Sequence, residues 1–155
     1  MRRFQTRGRL TIMDTIGSIL KNKGQGIHSV APDATVYDAI AIMAEKGVGA
    51  VLVLNGGKLT GIVSIKDYGN EVVLRDRSAK DVRVEEIMTS PVITVQPEVT
   101  VTECIGIMTR CHIRHLPVFS GDELVGVISL GDLARAIISD QTFKIDQLMT
   151  YVGQK

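Results

Sequence analysis

The residues with the clearest chemical meaning in this chain occur twice. Ser64 and Asp67 close the phrase GIVSIKD (61–67), and Ser129 and Asp132 close GVISLGD (126–132). A carboxylate can accept two hydrogen bonds from the vicinal hydroxyls of a ribose, and a nearby serine can bond a ribose or phosphate oxygen. Both pairs lie where a strand pattern gives way to a helix. The first N–H groups of a helix are unpaired and carry partial positive charge, which favours phosphate. The same Ser-x-x-Asp spacing is also that of a helix N-cap, which stabilises by about 1 kcal/mol and needs no ligand. Three basic side chains accompany the two pairs: Lys66 inside the first phrase, and Arg114 and His115 in RHLPV (114–118). Arginine offers a planar fork to phosphate, and histidine can add a bond.

These residues are positioned by a unit written twice. Residues 27–73 align with 92–138 without a gap, pairing Pro32 with Pro97, Thr35 with Thr100, Met43 with Met108, Gly56 with Gly121 and Asp67 with Asp132. A repeat of this kind is one supersecondary unit that buries its apolar face against the other copy. In the second copy ITV (93–95) reads as a short strand. Thr100 and Glu103 form a capping box, and Val101, Cys104, Ile105 and Met108 give the helix its apolar stripe. HLPVF and LVGVIS flank an SGDE turn as a β-hairpin, and a second helix runs from Asp132 to about Ser139. The first copy repeats the order: strand HSV, helix from Thr35 to about Lys46 with Gly47 as its stop, hairpin, and a closing helix near Asp67.

The expected fold is therefore α+β, two β-α-β-β-α repeats packed sheet to sheet. Its boundaries are a basic, disordered arm over 1–12, repeat 1 over 13–76, a solvated charged linker over 77–83, repeat 2 over 84–141, and a docking helix and tail over 142–155. VEEIMT (84–89) is echoed by IDQLMT (145–150), both read as short amphipathic lead-in or docking helices.

Composition narrows the function classes. A chain of 155 residues, 45% hydrophobic and 4% aromatic, can bury one respectable core or two half-domains sharing one. A net charge of +1 gives no general attraction for nucleic acid or acidic membranes. No apolar run approaches the ~18 residues that span a bilayer. Arg2, Arg3, Arg7 and Arg9 precede the first acidic residue, Asp14; this is a plain basic arm or, alternatively, an organelle-targeting stretch. Cys104 and Cys111 stand seven residues apart on one helix, a rise of about 10.5 Å that exceeds disulfide reach. Reduced cysteines point to the cytoplasm. There is no nucleophile elbow, P-loop, G-x-G-x-x-G or H-E-x-x-H, and Cys-His-x-x-His at 111–115 matches no common zinc spacing. An enzyme is not expected, nor a resident metal.

Taken in order, V-x-P-D-x-T-V-x-x-A-I (30–40), LPV (116–118) and G-h-h-S-x-x-D in both copies (h apolar) resemble the CBS domain family in its tandem arrangement, the Bateman module. The likeness runs from about Met13 onward. It implies a pseudo-twofold pair that commonly dimerises and binds adenosine-containing ligands (AMP, ADP, ATP, NAD(H) or S-adenosylmethionine) in two clefts between the repeats, with none of them obligatory. In one cleft it implies Ser64 and Asp67 at the ribose, Ile62 along the base, Val92 and Ile93 of the other repeat around adenine, and Arg114 with His115 at phosphate. In the other it implies Ser129 and Asp132 at the ribose, Val127 with His28 and Ala50 around adenine, and Lys66 at phosphate. Gly49-Ala50 stands where the second copy has Arg114-His115, so unequal affinities are expected, with the Asp67 cleft preferred. The implied role is a regulatory, energy- or redox-sensing homodimer acting on an effector protein. A ligand-independent dimerisation or adaptor module is the alternative.

Overall fold

The computed structural model describes residues 15–24 and 26–153; the arm over 1–12 and Met13 lie outside them. In chain order the elements are α1 (Ile16–Lys23), β1 (Ser29–Val30), α2 (Val36–Lys46), β2 (Ala50–Asn55), β3 (Lys58–Ser64) and α3 (Ile65–Tyr68), which runs into a π-helical turn (Gly69–Val73). A 3-10 turn (Val84–Glu86), α4 (Val101–Cys111), β4 (His115–Ser120), β5 (Glu123–Ser129) and α5 (Leu130–Gly153) follow. The fold is α+β with two small sheets, β1-β2-β3 and β4-β5.

The chain divides into two compact units. Residues 26–93 form the Asp67 unit, and 15–24 with 94–153 form the Asp132 unit. Each has its own core: Val36, Ala39, Met43, Val51, Val53 and Val63 in the first, Val101, Cys104, Met108, Leu116, Val118 and Ile128 in the second. The same local causes operate in both. Thr35 and Thr100 cap α2 and α4 through their hydroxyls, and Asp38 and Glu103 bond back to the threonine amides at 3.3 and 2.9 Å. Gly47 ends α2 at a φ of 64°; His112 takes that left-handed position after α4. The hairpins share their register down to the bulge after Val53 and after Val118.

The units exchange their lead-in segments relative to the sequence repeats. Ile16, Ile19 and Leu20 of α1 are buried in the Asp132 unit, while Val84, Ile87 and Met88 fill the Asp67 unit. Ile16 N–H donates to the Val99 carbonyl as Val84 N–H donates to Ala34. The structural echo of VEEIM is thus IGSIL (16–20), not IDQLMT, whose Ile145, Leu148 and Met149 are exposed. Each lead-in packs on a repeated glycine. A Cβ on Gly126 would come within 2.9 Å of Leu20, and one on Gly61 within 2.8 Å of Met88 Cγ.

The stretch 77–83 is mostly exposed, but it is tied down at one point: Val82 is 2% exposed, its carbonyl accepts from Val36 N–H, and Arg77 pairs with Glu86 at 2.8 Å. Two further expectations are corrected. ITV contributes one parallel bridge, Val95 to Val118, not a strand. Pro117 stands where β2 has Leu52, whose N–H bonds the His28 carbonyl, and proline has no N–H to give. The closing helix does not stop at Ser139, because no glycine or proline interrupts 132–152; Lys144–Asp140 at 2.7 Å supports the continuous α5.

Candidate functional site

At the end of β3, Ser64 caps α3. Its hydroxyl accepts from Asp67 N–H at 3.3 Å, and Asp67 Oδ2 accepts from the Ser64 amide and hydroxyl at 2.8 and 3.0 Å. Asp67 is half-exposed, and Oδ1 takes no hydrogen bond among the described residues. Opposite this corner, Ala50 pairs in register with Ser64. Ile62 exchanges backbone bonds with Thr89 at 3.1 and 2.9 Å, which lays the strand of chain leading to Val92 and Ile93 within the same unit. The sequence reading took Val92 and Ile93 as supplied by the other repeat. They belong instead to the unit that carries Asp67, because the lead-in packs there; Ile93 is 43% exposed and Val92 partly buried.

The equivalent corner of the Asp132 unit begins alike. Asp132 Oδ2 accepts from Ser129 N–H at 2.8 Å, and Ser129 Oγ from Asp132 N–H at 3.1 Å. Then it diverges. Lys23 Nζ lies 2.7 Å from Oδ2 and also donates to the Val127 carbonyl at 3.0 Å, while Arg135 donates to Oδ1 at 2.5 Å. Only 4% of the Asp132 side chain is exposed. Burial by itself would raise the Asp132 pKa, but hydrogen bonds from Lys23 and Ser129 outweigh it and hold the carboxyl below its ordinary range.

His115 stands opposite Ser129 in the hairpin. Burial first, then the charges of Lys23 and Arg114, hold its pKa below the ordinary 6.5, against an opposing pull from Asp132. At neutral pH His115 is therefore an uncharged hydrogen-bonding ring rather than the cation its type allowed, and Arg114 and Lys66 are the exposed basic residues of the set. The structure gathers His115, Val127, Ser129 and Asp132 in one unit and Ala50, Ile62, Ser64, Lys66, Asp67, Val92 and Ile93 with His28 in the other.

Sequence reasoning missed Lys23, Arg135 and Thr89. Arg135 follows Asp132 by three residues on a helix, a spacing that signals an ion pair. Lys23 and Thr89 carried no signal, since their partners lie far away in sequence. Among the described residues no group of three or more His, Cys, Asp or Glu could hold a metal, and no helix is long and apolar enough to cross a membrane. Burial pushes the Cys104 thiol up to about 11, consistent with a core role.

Comparison with known proteins places this geometry. The CBS domain model matches residues 24–68 and 84–139. The chain belongs to the CBS-domain family. A CBS-domain protein of Burkholderia ambifaria, described with signal transduction, is 48% identical, with a TM-score of 0.79 over 82% of this chain and 96% of that one. The mitochondrial CBS domain-containing protein CBSX3 of Arabidopsis thaliana is 34% identical over 89% of this chain and 71% of its own length. A hexameric CBS-CP12 protein from bloom-forming cyanobacteria is 30% identical, with a TM-score of 0.70 over 77% of this chain and 69% of that one. CBS domains are regulatory modules that as a class bind adenosyl ligands.

Proposed function

We propose that this CBS-domain protein is an adenine-nucleotide-binding regulatory module that takes AMP, ADP, ATP, NAD(H) or S-adenosylmethionine between its repeats and signals through the shape of a homodimer. The observation that carries this reading is Asp67: a half-exposed carboxylate, fixed by its cap to Ser64, with one oxygen unbonded among the described residues. That oxygen is the acceptor a pair of ribose hydroxyls requires. Ile62, Val92 and Ile93 would then flank adenine, and Arg114 with uncharged His115 would reach phosphate. Ser129 and Asp132, with Val127, His28, Ala50 and Lys66, make up the matching second position, which this reading ranks below Asp67.

In this proposal the sequence repeats keep the boundaries 13–76 and 84–141, and 142–155 docks. Ile138, Ile145, Leu148, Met149 and Val152 of α5 are exposed, an apolar surface suited to a second copy. The proposed setting is the cytoplasm, with an effector protein as the recipient of the signal. A ligand shifts the population of shapes only by binding one better than another.

A ligand-independent adaptor is the second reading, favoured by the complete capping boxes that both Ser/Asp pairs make. Thermal-shift titration with AMP, ATP, NADH and S-adenosylmethionine separates the two. A binder gains about 2.7 kcal/mol at a hundredfold excess over Kd, and an adaptor gains nothing. The expected result is a saturable rise with one of these ligands, lost in a folded Asp67→Ala protein. Unchanged affinity in that variant would sink the assignment of Asp67.

A further inference from the structure

The two aspartates occupy matching places, but among the described residues only Asp67 has a whole carboxylate oxygen left unbonded. Asp132 Oδ2 already accepts from Lys23 Nζ and from Ser129 N–H, and Oδ1 accepts from Arg135. A carboxylate has about four lone-pair sites, so roughly one remains, too few for a vicinal diol. The same ammonium also holds the Val127 carbonyl. One side chain thus occupies the acceptors at both the sugar and the base positions.

We propose that Lys23 closes the Asp132 position to ribose, so that each chain takes its nucleotide at Asp67 alone. This rests on the nucleotide reading above. A ribose entering at Asp132 must draw the ammonium off a carboxylate that is 4% exposed, and a buried charge stripped of its partner is strongly disfavoured. A shallow hollow of about 320 Å3, open to solvent, borders the pair on the side of α1 and α5, lined by Ser18, Asn22, Arg135, Ala136 and Ser139 together with Lys23 and Asp132 themselves. Arg135 holds Oδ1 from a side chain that is 73% exposed, and Lys23 is anchored at two acceptors, so with both in place neither oxygen of Asp132 is left whole for a diol. Among the described residues no lysine performs this role at Asp67: there the lead-in is a single 3-10 turn followed by Thr89-Ser90-Pro91, and Asn70 stands in the place of Arg135.

The test counts nucleotides per chain by calorimetry with AMP and with ATP, titrated well past saturation of the first event. The wild-type chain is expected to bind one, Asp67→Ala none, Lys23→Met two, and Asp67→Ala/Lys23→Met one, the new event having a Kd within about a hundredfold of the first. Two nucleotides per wild-type chain, or a single one in Lys23→Met, would overturn the inference while leaving the nucleotide reading intact. Should Lys23→Met fail to fold, Asp67→Ala decides by itself: a residual event means that Asp132 is open and the inference wrong, and loss of all binding supports it. A wild-type chain that binds neither nucleotide defeats the nucleotide reading, and this inference with it.

Discussion

Asp67 and Asp132 close matching hairpins on matching serines, yet one carboxylate is half-exposed with an oxygen unbonded among the described residues and the other is walled in by two cations. The repeated phrase does not cause the difference. It comes from what stands outside it: α1 continues to Lys23 in the Asp132 unit, whereas the equivalent lead-in of the Asp67 unit is cut short before Pro91. Duplication preserved the glycine that seats the lead-in and the serine that caps the helix. The segment feeding each unit then decided the electrostatics of its corner.

Stability measurements can break this comparison. The largest effect is expected at the aspartates in ligand-free protein. Asp67→Ala removes a cap, about 1 kcal/mol. Asp132→Ala also strips Lys23 of its partner; discounted for the 35% exposure of the lysine side chain, the loss should be about 2–3 kcal/mol. Equal losses in urea denaturation would show that the buried pair adds nothing to the cap.

The glycines sharpen the parallel. Alanine at either position overpacks its lead-in, at roughly 1–3 kcal/mol. Gly61→Ala should cost more, since its Cβ would press on the Met88 stem, while at Gly126 the methyl meets only the tips of Leu20. Denaturation midpoints that fall in the reverse order would show that Met88 repacks freely.

The smallest effect is a pH dependence confined to the Asp132 unit. The unfolded chain binds a proton at His115 near 6.5 and the folded chain only lower, so stability is full above that value and is lost as pH falls below it toward the folded pKa. Denaturation midpoints compared between about pH 7.5 and 5.5 should show the decline, reduced in His115→Gln. Asp132 and Lys23 face this ring, so Lys23→Met should reduce the decline too. A profile identical in wild type and His115→Gln would remove His115 from the account.

Much of the fold was legible because its causes are local. Thr35-x-x-Asp38, Thr100-x-x-Glu103 and Gly47 mark helix ends through contacts within one turn, and the alternation in β2 to β5 with Gly56 and Gly121 at the turns fixes the hairpins. The Ser/Asp caps were legible for the same reason. What was misread is non-local: ITV reads as a strand until Pro117 withdraws a donor from the neighbouring strand β4, and IDQLMT reads as the echo of VEEIMT until the core seats α1 in that place.

The sequence by itself determined that one unit is written twice, that each copy ends in a serine-capped aspartate, and which family carries that phrase. Only the tertiary structure decided which lead-in serves which unit, and therefore that Lys23, more than a hundred residues from Asp132, sits 2.7 Å from its carboxylate. Caps and turns are settled within a few residues of chain. A buried ion pair depends on where two distant segments are packed, and that is set by the apolar faces of α1 and the hairpin, not by the charges themselves.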